Sequence, residues 1–156
     1  MGFFNKKQPI EVSKPIVNPA LKKAIKVFNS NKSEKILEAV ASALKKANFL
    51  VLINSEKMKV SQTTESNNQI VEKGSVIEFL KTFDENNDSF LPIFTDWNEV
   101  DLWIESRENI AGWIMTTTEV FSFVVKNKND KGLVINPCSD RWAMDKEQIT
   151  NFLTEG

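Results

Sequence analysis

The chain has no histidine, no tyrosine, a single cysteine and five glycines among its 156 residues. The missing imidazole excludes triads that use histidine as base, imidazole zinc sites and the commonest proton shuttle near neutral pH. Without tyrosine, no phenol can serve as acid, base or nucleophile. The lone thiol, Cys138, forbids an intrachain disulfide and every multi-cysteine metal site, which fits a reducing compartment. So few glycines leave no phosphate-cradling loop, and no calcium-loop spacing is present. No apolar run approaches the roughly 18 residues that cross a bilayer, and Met1 to Lys7 lacks the apolar core of a secretory signal. Lys6 stands where a myristoylation signal would want serine or threonine. These absences lead us to expect a cytoplasmic, non-catalytic protein with no cofactor, no metal and no membrane partner.

What is present fits one globular domain. The composition is 41% hydrophobic and 26% charged, with eleven phenylalanines and four tryptophans supplying apolar mass. The formal charge of −1 hides a strong segregation. Residues 1–47 hold ten lysines against three glutamates, net +7, and residues 82–119 hold nine carboxylates against Arg107 alone, net −8. A basic segment without arginine or interleaved exposed aromatics is a poor reader of nucleic acid, so no nucleic-acid partner is expected. The two lobes are instead expected to attract each other, within the fold or between copies.

Local signals divide the chain into an extended arm over 1–17 and a single domain over 18–156. Asn18-Pro19 reads as a helix cap followed by proline at the first helical position, with Leu21, Ala24, Ile25 and Phe28 on one face. A second helix carries Ile36, Leu37, Val40, Leu44 and Ala47 at helical spacing. Phe49 to Ile53 is a continuous apolar run that predicts a central strand buried on both faces. Lys57 to Val60 is expected to return as a hairpin, and Thr63 to Gln69 to form a polar loop. Val76 to Phe83 and Phe90 to Phe94 predict an antiparallel pair joined by the acidic turn Asp84 to Asp88. Asp96 with Glu99 predicts a capped helix running to about Ser106, and a short strand follows over Gly112 to Met115. Thr116 with Glu119 caps Val120 to Val125, where the cap favours helix although the β-branched content favours strand. Gly132 is expected to supply the left-handed residue that ends this helix. A strand over Leu133 to Ile135, a turn at Asn136-Pro137, a strand over Arg141 to Met144 and a helix capped by Asp145 and Gln148 complete the chain. The predicted class is α+β, a mixed and mainly antiparallel sheet covered by helices, with an N-terminal helix pair.

The Leu91-Pro92-Ile93-Phe94-Thr95-Asp96 strand exit, the Gly132 to Pro137 segment and the helix spacing between them resemble the N-terminal domain of the SseB, or enhanced serine sensitivity, family over roughly residues 34–154. The resemblance implies the fold and a bacterial-type cytoplasmic setting. It breaks the helix-or-strand tie at Val120 to Val125 toward helix. It supplies no settled activity. Cys138 departs from the family pattern, which more often has glycine after Asn-Pro.

Two candidate surfaces follow. The first is acidic and aromatic, formed by Asp96, Trp97, Asp101, Glu105, Glu108 and Trp142, and suits a protein partner or self-association. Asp101 and Glu105 stand four residues apart on one helical face. The second is the turn Asn136, Pro137, Ser139, Asp140 and Arg141, whose donors and acceptors could recognise a small polar ligand such as an amino acid or metabolite. A third possibility is a hydrolase or transferase built on the carboxylates or on Cys138, whose thiolate would need Arg141, Lys146 or a helix N-terminus to activate it. The leading expectation is a binding domain for another protein.

Overall fold

The computed structural model describes residues 16–55, 60–62, 69–71 and 78–155. All but the last two residues of the arm expected over 1–17 lie outside the described ones, which begin shortly before the expected helix pair, α1 (Pro19–Ser30) and α2 (Glu34–Lys45). Ser33 caps α2 by accepting from the Ile36 N–H at 3.3 Å. Each helix turns a narrow apolar stripe inward, Leu21 and Ile25 on α1 and Val40 and Leu44 on α2.

Behind them, the described residues form a sheet of seven strands. At its centre is β1 (Asn48–Asn54), whose residues Phe49 to Ile53 are buried on both faces, as their uninterrupted apolar character requires. A separate small ribbon joins β2 (Val60–Gln62) and β3 (Gln69–Val71). Along one side of β1, β7 (Ile110–Thr116) pairs antiparallel over its full length. Along the other side, β6 (Ser89–Phe94) meets Leu50 and Val51, and β4 (Glu78–Phe79) meets Ile53 and Asn54. β5 (Thr82–Phe83) then pairs with the beginning of β6, so the stretch from 78 to 83 bends out of one pairing into the next and fills the notch where β1 and β6 diverge. Pro92 sits in that notch, between the Phe90 contact with β5 and the Ile93 contact with β1. The Leu52 carbonyl beside it accepts from the Leu80 N–H at 3.0 Å, which accommodates the donor that proline lacks. Beyond β6 come β8 (Gly132–Ile135), paired parallel, and β9 (Trp142–Asp145), paired antiparallel.

One face of the sheet is covered by α1, α2, α4 (Thr117–Lys126) and α5 (Lys146–Glu155), whose apolar residues join Phe49, Val51, Leu91, Ile93, Leu133 and Ile135 in the larger core. On the other face, α3 (Trp97–Trp103) lays Val100, Trp97 and Trp103 over Leu50, Leu52 and Phe94. The α+β class, the mixed and mostly antiparallel sheet and the N-terminal helix pair agree with the sequence. Among the described residues no helix is long and apolar enough to cross a membrane.

The caps expected at Asp96, Thr116 and Asp145 all form, and at Thr116 both reciprocal bonds with Glu119 are made. The two-way segment after it is helical, because the capping box and burial of Val120, Phe121 and Val124 outweigh strand propensity. Four expectations change. Asn18 precedes α1 without capping it, because its side chain is drawn away to the Asn48 and Thr95 carbonyls, each at 2.8 Å. The strand expected from Val76 to Phe83 is two short strands with different partners, and its first two residues lie outside the described ones, as do Lys57 to Lys59 and the 63–68 part of the loop. Helix α3 stops at Trp103, three residues before Ser106. Gly132 does not end a helix. It is a buried strand residue whose missing side chain lets β9 approach, since a Cβ there would stand 2.0 Å from the Met144 carbonyl oxygen.

This close approach separates two glycine substitutions. Gly132→Ala should destabilise the protein by more than about 3 kcal/mol, because the obstacle is backbone in a paired strand. At Gly112 the new Cβ would meet the Trp97 ring at 2.6 Å. That ring can shift, so Gly112→Ala should cost only about 1–2 kcal/mol. Urea unfolding midpoints of the two variants check the order, and equal midpoints would contradict it.

Candidate functional site

Where the parallel strands β6 and β8 end side by side, the chain gathers polar residues that would be costly to bury singly. Thr95 and Asn136 are fully buried, and Asp96 and Glu99 are nearly so, at 6% and 7% exposure. The Asn136 side-chain oxygen accepts from the Thr95 N–H at 3.1 Å, and its amide nitrogen donates to Thr95 Oγ1 at 3.0 Å and to Asp140 Oδ2 at 2.8 Å. Thr95 Oγ1 in turn donates to Asp96 Oδ2 at 2.9 Å, and Asp96 Oδ1 accepts from the Glu99 N–H at 3.1 Å to start α3. Ser139 Oγ closes the ring by donating to Glu99 Oε1 at 2.6 Å. Asn136 and Arg141 both take left-handed backbone angles, φ 52° and 50°. In that conformation the Asn136 carbonyl receives the N–H groups of Ser139 and Arg141.

The charge segregation noted in the sequence is resolved at this junction. Lys22, from the basic helix pair, places Nζ 3.1 Å from Asp96 Oδ2 and 3.3 Å from Glu99 Oε2. Burial by itself pushes the Asp96 carboxyl up, but hydrogen bonds from Lys22, Thr95 and the Glu99 N–H outweigh it and hold Asp96 below its ordinary value. Burial likewise opposes the Lys22 charge, and its bonds to Asp96 and Glu99 raise it nonetheless. A third buried carboxylate, Asp130, lies at the opposite end of β8. It is held by Lys81, by Ser89 Oγ at 2.9 Å and by Asn127 Nδ2 at 3.0 Å.

The structure divides the first candidate surface. Asp96 belongs to the buried junction and is not presented outward. Trp97 lies half-buried over Gly112, with the Arg107 guanidinium stacked 4.4 Å from its ring centroid. Asp101 is exposed, but Arg107 grips both its oxygens at 2.8 and 2.7 Å and holds it below the ordinary carboxylate range. Glu105 and Glu108 are exposed on the loop after α3, and Leu102 near the end of that helix is 61% exposed. Trp142 stands apart from all of these, on the other face of the sheet. It packs against Phe28 at 5.1 Å between ring centroids and lines a groove with Leu37, Glu38 and Phe152. The exposed carboxylates of this segment are therefore Asp101, Glu105 and Glu108, of which Asp101 is tied through Arg107 to Trp97.

The second candidate, the Asn136 to Arg141 turn, is brought together as a unit, but inward. Asn136 is buried, Ser139 and Asp140 bond into the junction from an exposed and a half-buried position, and Arg141 is exposed. Cys138 is exposed, with its thiol 3.4 Å from the Leu102 carbonyl oxygen. Among the described residues no group of three or more carboxylates and cysteines could hold a metal ion. Sequence reasoning missed Asn18, Lys22 and Glu99 as members of the junction. Lys22 resembles the other lysines of the basic segment, and its partners lie more than 70 residues away. A polar Thr95 interposed between an apolar strand and the Asp96 cap was the available signal, since a hydroxyl at a buried strand end needs a partner.

The chain belongs to the SseB family, whose SseB protein N-terminal domain matches residues 21–151. The match spans the junction apart from Asn18, and both strand ends that resemble the family in sequence. Comparison with curated proteins and with solved structures finds no match.

Two variants test the junction. Asn136→Ala removes the acceptor of a buried N–H and places a Cβ-bearing residue without local hydrogen bonding at φ 52°, so about 2–4 kcal/mol should be lost. Asn136→Gly should recover about 1 kcal/mol of that, because only the backbone cost is relieved. The pH dependence has a definite sign. Asp96 is depressed in the fold, so its contribution is present above about pH 5 and is lost as pH falls through and below the ordinary carboxylate range. Lys22→Met leaves two carboxylates facing each other, which makes protonation favourable. Its deficit relative to wild type should therefore be largest near neutrality and shrink toward about pH 4. Urea titrations at several pH values check this, and a deficit independent of pH would refute the pairing.

Proposed function

We propose that this domain binds another protein through the outer side of α3 and the loop that follows it. The observation that supports the reading is Leu102, a leucine at 61% exposure, in a segment whose Asp101, Glu105 and Glu108 are also exposed. The inner side of the same short helix is anchored by Val100, Trp97 and Trp103, so the outer residues are displayed on a fixed support. Among the described residues no cation pairs with Glu105 or Glu108. An exposed apolar side chain in the same segment as the two unpaired carboxylates suits a partner segment that offers an apolar side chain flanked by lysine or arginine. A cytoplasmic setting and the absence of catalysis belong to the same reading.

A small-molecule sensor at the Asn136 to Arg141 turn has less support, because the Asn136 amide and the Ser139 hydroxyl already bond within the protein. A Cys138 nucleophile has less again, since its thiol lies against the Leu102 carbonyl oxygen, an acceptor that does nothing to stabilise a thiolate.

The proposal predicts that Leu102→Ser combined with Glu105→Lys and Glu108→Lys, verified as folded, abolishes retention of a partner that wild type holds. Affinity capture from native lysate with quantitative mass spectrometry measures this. Asp101 is left intact so that its pairing with Arg107 is preserved. If no protein distinguishes the two baits, the surface is not the binding site.

A further inference from the structure

Strand β7 is an edge that nothing among the described residues covers. Its pairing with β1 sets which groups are free. The Ser55 N–H donates to the Asn109 carbonyl at 2.8 Å and the Thr117 N–H to the Ala47 carbonyl at 3.3 Å. By strand alternation, odd-numbered residues of β7 bond toward β1 and even-numbered ones point away from it. At the two ends the outward donors are already used. The Ile110 N–H bonds the Arg107 carbonyl at 3.0 Å, and the Thr116 N–H bonds Glu119 Oε1 at 2.8 Å. Between them, the N–H and C=O groups of Gly112 and Ile114 have no described partner.

These free groups are symmetric about Trp113. We propose that β7 pairs antiparallel with β7 of a second copy, with Trp113 on the twofold axis. In that register Gly112 of each copy exchanges both backbone bonds with Ile114 of the other, so four open donors and four open acceptors are mutually satisfied. The side chains agree with this register. The exposed Ile114 lies opposite Gly112, and Met115 lies opposite Ala111, so a large residue meets a small one at each step on either side of the axis. Trp113, 43% exposed beside Phe79, meets its own symmetry mate as a closely spaced, non-hydrogen-bonded pair. The strand Ile110–Thr116 contains no charge and no proline, the usual devices that keep an edge unpaired. The second copy thus continues the sheet across the axis. This inference does not rest on the α3 surface, which uses different residues.

The test is sedimentation equilibrium of the full chain over a concentration series, with cysteine crosslinking to fix the register. Wild type should show a monomer–dimer equilibrium. Ile114→Lys should weaken it by more than about tenfold, and so should Ile114→Pro, which removes an N–H that β1 does not use. Circular dichroism establishes that both variants are folded. In a Cys138→Ser background, Trp113→Cys should form an intermolecular disulfide under mild oxidation, because the two Cα atoms face each other at a separation a disulfide can bridge. Ile114→Cys in the same background should crosslink far less. A monomer at every concentration overturns the proposal. So does a dimer unaffected by either Ile114 variant, or equal crosslinking at 113 and 114.

Discussion

The amide of Asn136 supplies one acceptor and two donors at the place where two parallel strands end together, and the Thr95 backbone there needs an acceptor. Parallel strands finish with their last N–H and C=O groups pointing into space that the next elements must fill. Here the fill is a single buried side chain that speaks to both strands, to the turn after β8 and, through Thr95 and Asp96, to the first turn of α3. Each member satisfies the next, and this makes such a network favourable in a low dielectric; a partly satisfied one would cost more than apolar packing.

The same junction explains the charge asymmetry of the chain. A lysine-rich helix pair and an acidic second half would repel internally if kept apart, yet Lys22 brings one lysine across to two nearly buried carboxylates. Asn18, one turn earlier, reaches the Thr95 and Asn48 carbonyls. Together they dock the start of α1 onto the sheet by polar contacts, while Leu21 and Ile25 continue the docking by burial.

Elements with strong local signals were legible in the sequence. The apolar run Phe49 to Ile53 could be nothing but a central strand, and the reciprocal Thr116 and Glu119 bonds decided a segment whose propensities conflicted. What the sequence concealed is long-range. The bend between β4 and β5 arises from divergence of β1 and β6, and Gly132 answers to Met144 on a neighbouring strand. Left-handed angles fall on Asn87, Asn109, Asn136 and Arg141, where asparagine is easily read as generic loop polarity. At the candidate site, the turn after β8 was recognisable as a unit, but its inward direction was not. Trp142 and Trp97 look alike in a sequence and lie on opposite faces of the sheet.

Asn136 and Thr95 are 41 residues apart, and the hydrogen bonds between them pinch the intervening chain into a closed loop. Tying such a loop costs about 3 kcal/mol of chain entropy, so the knot at its neck must hold against a steady tendency to spread. Both surfaces proposed to meet a partner, α3 with Leu102 and β7 with Trp113 and Ile114, are threaded on that one loop. The steadiness of both surfaces is thus governed from a residue that belongs to neither, as the tension of a bowstring is set at its nocks.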